Sequence, residues 1–167
     1  EQVTAAAVLA GNKNGRVVLC LDNDKAGIAA VERVCKSKIL ATVSDQHPVE
    51  FRITSLSDDV KDPADFVNSV EEGGNPGDLF REQVIEGASV EWKDWYQAQL
   101  IKQHNATASK GEKGSLAYLM DGLVGLLSMV KHETDRDSRL HDIAQILSGL
   151  VSGGEKGGMI PESIKYQ

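Results

Sequence analysis

In the first third of the chain, the spacing of apolar residues changes between that of a helix and that of a strand. Residues 2–10 are alanine-rich and predict a short helix, which the segment GNKNG ends as a turn. Residues 17–22 (VVLCLD) are continuously apolar up to Asp22, which predicts a central strand covered on both faces. From Lys25 the apolar positions recur at helical spacing, and residues 49–56 (VEFRITSL) then alternate as in a half-exposed strand. This β-α-β order predicts a parallel sheet with flanking helices.

The alternating strand assigns its side chains to two faces. Its apolar residues are predicted to be buried and its polar residues to face solvent: Val49, Phe51 and Ile53 on one side, Glu50, Arg52 and Thr54 on the other. A loop follows, and the pair Asp62-Pro63 predicts a helix start, with the aspartate as N-cap and the proline at the first helical position. The carboxyl ends of the two strands are expected at the same rim of the sheet.

Beyond residue 75 the pattern predicts helices throughout. Three apolar stripes at helical spacing indicate a small bundle. They are Trp92, Trp95, Tyr96 and Leu100, then Leu116, Leu119, Met120, Leu123, Leu127 and Val130, and finally Leu140, Ile143, Ala144, Leu147 and Leu150. The predicted organisation is an α/β part over residues 1–75, a helical subdomain over 76–152 and a flexible tail over 153–167.

Composition narrows the class of protein. The 167 residues carry a formal net charge of −7, which argues against this chain alone holding nucleic acid, because that affinity depends on lysine and arginine. The two cysteines, Cys20 and Cys35, have no metal-binding spacing and are expected to be thiols of the core. His104, His132 and His141 show no ligand spacing either and are expected at the surface. No segment predicts a membrane span or a signal peptide. The first residue is not methionine, which suggests either a cut-out fragment or a mature chain whose upstream part is missing.

Two carboxylates lie where the first strand passes into a helix. Asp22 and Asp24 can both point into the crevice above the sheet, and two acids there are compatible with a cation such as Mg²⁺. The alternative is structural, with Asp24 capping the helix and Asp22 in solvent. An EF-hand is excluded because Arg33 stands where the calcium loop needs a bidentate glutamate. A haloacid-dehalogenase-type site fits poorly, because KAG follows the acids.

The segment LCLDNDKAGIAAVERV resembles the Asp-x-Asp motif of the Toprim domain. Together with KDPADFV and the helical pattern after it, the segment is similar to a DnaG-type bacterial primase, with nearly the whole chain covered. The fold that the resemblance implies is the latter part of a Toprim α/β fold followed by a helical subdomain. The activity that it implies is metal-dependent synthesis of short RNA primers on single-stranded DNA.

The resemblance also implies roles for particular residues. Asp22 and Asp24 match the Asp-x-Asp pair and are expected to be catalytic metal ligands for Mg²⁺ or Mn²⁺, and Asp62 matches the first aspartate of the later acidic segment. Asp65 is a doubtful ligand because many relatives carry their second acid one position earlier. Lys25 could contact a nucleotide phosphate, with an ordinary exposed lysine as the alternative. The family's Glu-Gly motif has no counterpart here, so its glutamate is expected upstream, and the isolated chain is expected to be inactive.

The partners expected for the intact enzyme are template DNA, ribonucleoside triphosphates and the replicative helicase, with no membrane. The isolated chain is expected to be monomeric, and the expected location is the bacterial cytoplasm at the nucleoid, with a plastid or another organelle as the alternative. Two other classes of function remain open. One is another Toprim enzyme, such as a primase-helicase, topoisomerase or nuclease, and the other is a non-catalytic module that binds a replication partner.

Overall fold

The structure is a computed structural model that describes residues 2–11, 15–57, 59–70, 74–110 and 115–152. The chain divides into two compact units, the first ending at Trp95 and the second beginning at Tyr96. The elements of the first unit are α1 (Gln2–Gly11), β1 (Arg16–Cys20), α2 (Lys25–Lys36), α3 (Ile39–Gln46), β2 (Glu50–Thr54), α4 (Pro63–Ser69), α5 (Pro76–Leu79), a π-helix (Phe80–Gly87) and β3 (Val90–Glu91). Helix α6 (Trp92–Ala108) crosses the boundary, and α7 (Ser115–Ser128) and α8 (Glu133–Ser152) follow.

A small mixed sheet organises the first unit. Its described strands lie in the order β1-β2-β3, with β1 parallel to β2 and β3 antiparallel to it. The parallel pair runs in register from Arg16 opposite Glu50 to Cys20 opposite Thr54. A parallel pair with flanking helices, followed by a helical region, confirms the predicted fold class.

The prediction that the first strand is central is wrong for the described sheet. β2 is the middle strand, because the two-residue strand β3 pairs along its other side. Most of β1 is only half-buried, and Cys20 is therefore less buried than expected. A continuous apolar run indicates that both faces of a strand are packed against other elements. It does not indicate which strands pair with it along its two edges.

Capping residues and buried positions explain the helices of this unit. Asp24 caps α2, which was the structural alternative for this residue, and Val31 and Cys35 form the buried side of the helix. Lys38 has a left-handed backbone, with φ of 60°, and this separates α2 from α3. The sequence did not predict α3. The helix has eight residues with only two buried positions, which is too few to show a helical repeat.

The second strand confirms most of its predicted alternation, although Arg52, predicted to face solvent, is half-buried. Val49, Phe51 and Ile53 are buried, and Glu50 is exposed. Thr54 was predicted to face solvent but is only 5% exposed. Its hydroxyl donates a hydrogen bond of 2.8 Å to the carbonyl of Val84 in the π-helix, so the polar group is satisfied without water.

A small apolar cluster lies beneath the segment that follows β2. Leu56, Val60 and Val84 are its buried members, and they bring together the loop before α4 and the π-helix. Half-buried neighbours pack against this cluster: Cys20, Phe66, Phe80 and Ile85. The rings of Phe66 and Phe80 meet edge to face, with centroids 5.4 Å apart. The cluster therefore fixes the position of α4 relative to the end of β1.

The helical region agrees only in part with the predicted stripes. The first stripe, Trp92, Trp95, Tyr96 and Leu100, is buried as predicted, which favours a core role for these aromatic residues. In the other two helices the buried side includes Leu119, Leu123, Leu126, Ile143 and Ile146, whereas Leu116, Met120 and Leu140 are substantially exposed. The strand β3 also contradicts the prediction of helices throughout this region.

The remaining sequence predictions have different outcomes. His104 was expected at the surface but is 4% exposed, because α6 continues to Ala108 and carries this ring into the core, whereas His132 and His141 are exposed as predicted. The predicted tail, residues 153–167, lies outside the described residues. The predicted boundary at residue 75, between the α/β part and the helical subdomain, stays a prediction. None of the described helices has the length and apolar composition of a membrane span.

Candidate metal centre

The register of the parallel strands brings two acidic loops to one edge of the sheet. Cys20 and Thr54 are paired at the ends of β1 and β2, so the segments that follow leave the sheet at the same level. One segment carries Asp22 and Asp24, and the other leads to Asp62 at the start of α4. This confirms the predicted common rim, which is where α/β sheets bind their ligands.

Asn23 connects these two loops directly. Its main-chain N–H donates a hydrogen bond of 2.7 Å to the carbonyl of Lys61. Its side-chain amide lies 3.1 Å from the carbonyl of Ser57 and 3.3 Å from that of Leu56. Asp22 and Asp24 flank Asn23 in sequence, and Asp62 follows Lys61. All three predicted metal ligands are therefore immediate neighbours of residues in one backbone hydrogen bond.

Two of the three aspartates also cap helices. One carboxylate oxygen of Asp24 accepts a hydrogen bond of 2.8 Å from the Gly27 N–H, and one of Asp62 accepts a bond of 2.9 Å from the Asp65 N–H. A carboxylate can accept about four hydrogen bonds or ligand contacts, so capping leaves coordination capacity on the same group. Capping and metal binding are thus compatible functions of these side chains.

Gly27 allows helix α2 to begin very close to Asp22. A Cβ atom at residue 27 would lie 2.1 Å from the Asp22 carbonyl oxygen and 3.0 Å from its carbonyl carbon. Both are backbone atoms, which cannot rotate away as the end of a side chain can. The absent side chain therefore sets the distance between the helix start and the backbone that carries the first predicted ligand.

The charge around this rim is negative. Burial raises the pKa of Cys20 above its usual value, and the negative charge of Asp22 adds to this effect. Asp59, in the loop before α4, is fully exposed, and the hydrogen bond from Ser57 holds its pKa below the usual range. Residues 1–95 contain 17 acidic and 10 basic side chains, whereas residues 96–167 contain eight of each. The formal charge of −7 is therefore confined to the unit that carries the rim.

The donor set suits a hard divalent cation. Mg²⁺ prefers oxygen ligands and is commonly held by one or two carboxylates together with substrate phosphates, so the chemistry of the predicted ligands Asp22, Asp24 and Asp62 suits it. Within the described residues, no three or more His, Cys, Asp or Glu side chains are placed to hold a metal ion together. Asp65 is exposed and supplies its main-chain N–H to the Asp62 cap, and Lys25 is the exposed first residue of α2.

Residues 2–67 match the protein family described as Toprim-like. The matched range contains both acidic loops, Asn23 and Gly27. It supports a member of the Toprim superfamily, which includes metal-binding enzymes that act on nucleic acids. No curated protein and no solved structure gives a significant match to the chain.

Sequence reasoning predicted the aspartates as metal ligands but missed Asn23 and Gly27, which contact the segments that carry them. Asn23 gave one weak signal, a single amide between two acids, and its partners lie more than 30 residues away. Gly27 gave a clearer one, because a glycine in the first turn of an amphipathic helix lowers helix propensity and needs a packing reason.

Proposed function

We propose that this chain is part of the catalytic region of a DnaG-type DNA primase, which synthesises short RNA primers on single-stranded DNA. The observation that carries the proposal is the hydrogen bond between Asn23 and Lys61, which joins the two acidic loops at one rim inside the Toprim-like range. Asp22, Asp24 and Asp62 are proposed to be the ligands of Mg²⁺ or Mn²⁺. The chain is an enzyme component of the nucleotidyltransferase class in this proposal.

The choice of a primase among Toprim enzymes depends on the segments C-terminal to the parallel strands. The segment KDPADFV resembles the acidic segment of DnaG-type primases, and in the structure it forms the cap and first turn of α4. Helices α6, α7 and α8 come later in the chain, as they do in that family's helical subdomain. A primase-helicase, topoisomerase or nuclease would share the Asp-x-Asp rim, and these classes are the alternatives that an activity assay separates.

The chemistry proposed for the rim is electrostatic. A divalent cation bound there would supply positive charge beside the phosphate oxygens of an incoming nucleotide. The chain's own groups would orient that cation: Asp22 directly, and Asp24 and Asp62 through whichever carboxylate oxygen does not serve the helix cap. Lys25, exposed at the first position of α2, is proposed to contact a nucleotide phosphate.

The negative charge of the first unit shapes the proposed interactions. An acidic rim attracts cations and repels nucleic-acid phosphates, so template binding requires positive surface from elsewhere in the enzyme. The proposed partners are single-stranded DNA, ribonucleoside triphosphates and the replicative helicase, in the bacterial cytoplasm or, as the alternative, a plastid. We expect this chain by itself to bind divalent metal weakly and to make no primers, because the resemblance assigns a further essential glutamate to an upstream strand.

The test is manganese-dependent binding of a ribonucleoside triphosphate, measured by calorimetry with ATP in the presence and absence of Mn²⁺. The variants are Asp22→Asn, Asp24→Ser and Asp62→Ser, because serine preserves an N-cap while removing the carboxylate. The matched control is Asp121→Asn, which removes an exposed carboxylate from α7. We expect saturable, Mn²⁺-dependent binding in the wild type and the control, and at least about tenfold weaker binding in each rim variant.

Two results would contradict the proposal. ATP binding that is equally strong without Mn²⁺, or unchanged in all three rim variants, would remove the metal role of the aspartates. Primer synthesis by this chain alone, measured with labelled ribonucleotides on a single-stranded template, would contradict the expectation that it is inactive in isolation. Retained binding of a replication partner with no metal binding would favour the non-catalytic module.

A further inference from the structure

Asn23 makes three hydrogen bonds to the opposite acidic loop. Its main-chain N–H and its side-chain amide donate to three carbonyls of the opposite loop, those of Lys61, Ser57 and Leu56. These acceptors span that loop from just after β2 to the residue before Asp62. The side chain is partly buried at this junction. One residue thus attaches both ends of the second loop to the first.

We propose that Asn23 is a positioning residue for the metal centre, and this inference rests on the function proposed above. Its contacts hold Asp62 at a fixed place relative to Asp22 and Asp24, although it is not itself a ligand. The carboxylates repel one another, at about 1 kcal/mol for a pair 4 Å apart in water and more where water is excluded. The contacts of Asn23 oppose this repulsion by keeping the two acidic loops next to each other before a cation binds.

The choice of asparagine follows from its hydrogen-bonding groups. The side-chain amide offers two N–H donors, and the two groups that face it are carbonyl oxygens. Aspartate has the same shape but would present oxygen to oxygen, and it would add another negative charge to the rim. Alanine removes the donors and keeps the main-chain bond to Lys61, so it isolates the contribution of the side chain.

The first experiment compares Mn²⁺ affinity, by electron paramagnetic resonance of free Mn²⁺, in the wild type, Asn23→Ala and Asn23→Gln. Asn68→Ala is the matched control, since Asn68 is an exposed asparagine on α4. We expect about tenfold weaker binding for Asn23→Ala, partial recovery for the glutamine variant, which retains two N–H donors, and no change for the control. Amide hydrogen exchange at residue 23 should accelerate in Asn23→Ala, because its bond to Lys61 is less protected.

A double-mutant cycle with Asp62→Ser separates positioning from a general effect on the fold. If Asn23 acts by holding Asp62 in place, Asn23→Ala weakens Mn²⁺ binding in the wild-type background and has no further effect once Asp62 is replaced. An equal loss in both backgrounds would overturn the positioning role. Unchanged affinity in Asn23→Ala, with normal binding by the wild type, would overturn this inference alone. Absence of saturable binding in the wild type would overturn the proposed metal centre itself, and the inference with it.

Discussion

Replacing Gly27 by alanine tests whether helix α2 really begins in close contact with the Asp22 backbone. Two effects oppose each other at this position. Alanine is favoured over glycine in helices by up to about 1 kcal/mol. The new Cβ, however, would lie 2.1 Å from the Asp22 carbonyl oxygen, so the helix start or the Asp22 backbone must move. Overpacking of this kind typically costs about 1–3 kcal/mol, so after the gain in helix propensity we expect a net loss of about 0–2 kcal/mol of unfolding free energy.

Gly125→Ala provides the matched control. Gly125 lies in α7, and a Cβ atom there would meet no atom within 4 Å. The same substitution should therefore show the propensity gain alone, about 1 kcal/mol of added stability. Guanidinium denaturation followed by far-ultraviolet circular dichroism measures both variants, with the midpoint and slope fitted separately. If Gly27→Ala is as stable as Gly125→Ala, the close approach between α2 and Asp22 is refuted.

The remaining predictions concern three side chains, those of Thr54, Cys35 and Asp24. Thr54→Val removes the buried hydroxyl that donates to the Val84 carbonyl, and we expect a loss of about 1–3 kcal/mol in chemical denaturation; an unchanged midpoint would contradict that hydrogen bond. Burial, with the charge of Glu32 adding to it, raises the pKa of Cys35 to about 12, so alkylation at about pH 8 should modify this thiol only after unfolding. This pKa lies above the pKa of 9.0 of the unfolded thiol, so protonated Cys35 stabilises the fold fully below pH 9, and that stabilisation is lost as the pH rises towards 12. Denaturation measured across that pH range would reveal the loss. Asp24→Ala should cost about 1 kcal/mol through loss of the helix cap and Asp24→Ser much less, and equal losses would contradict the capping role.

Local signals in the sequence predicted most of the elements that position the site. Asp24 and the pair Asp62-Pro63 mark helix starts. A side-chain oxygen at the N-cap accepts a hydrogen bond from a main-chain N–H of the first turn, and a proline at the first helical position has no N–H to satisfy. The alternation of residues 49–56 likewise reports a sheet with one covered face. These patterns depend on neighbours in sequence, so they can be read without knowledge of the fold.

Features that depend on distant partners could not be predicted in the same way. Thr54 is buried because a carbonyl 30 residues later accepts its hydrogen bond, and β1 lies at the edge of the described sheet because β3 pairs with β2. His104 is buried because α6 extends further than its sequence indicates. For Thr54 and β1 a long-range contact overrides a local preference, and for His104 the helix continues past the residue where the local pattern ends it.

The candidate site shows the same division. Its acids were predicted from spacing and from a resemblance to Toprim proteins, and the Toprim-like match over residues 2–67 supports the resemblance. The contacts of Asn23 with Leu56, Ser57 and Lys61 could not be inferred, because they exist only once two loops more than 30 residues apart reach the same rim. The assignment of ligands stays a prediction that binding measurements must decide.

The central claim is that the acidic rim binds a divalent cation through Asp22 and Asp24. The most direct test is a Mn²⁺ titration of the wild type and of the Asp22→Ala plus Asp24→Ala variant, monitored by water-proton relaxation, with Asp121→Asn as the control. We predict weak but saturable binding in the wild type and the control, and its loss in the double variant. Identical, non-saturating titrations in all three proteins would contradict the claim and reduce Asp24 to a helix cap.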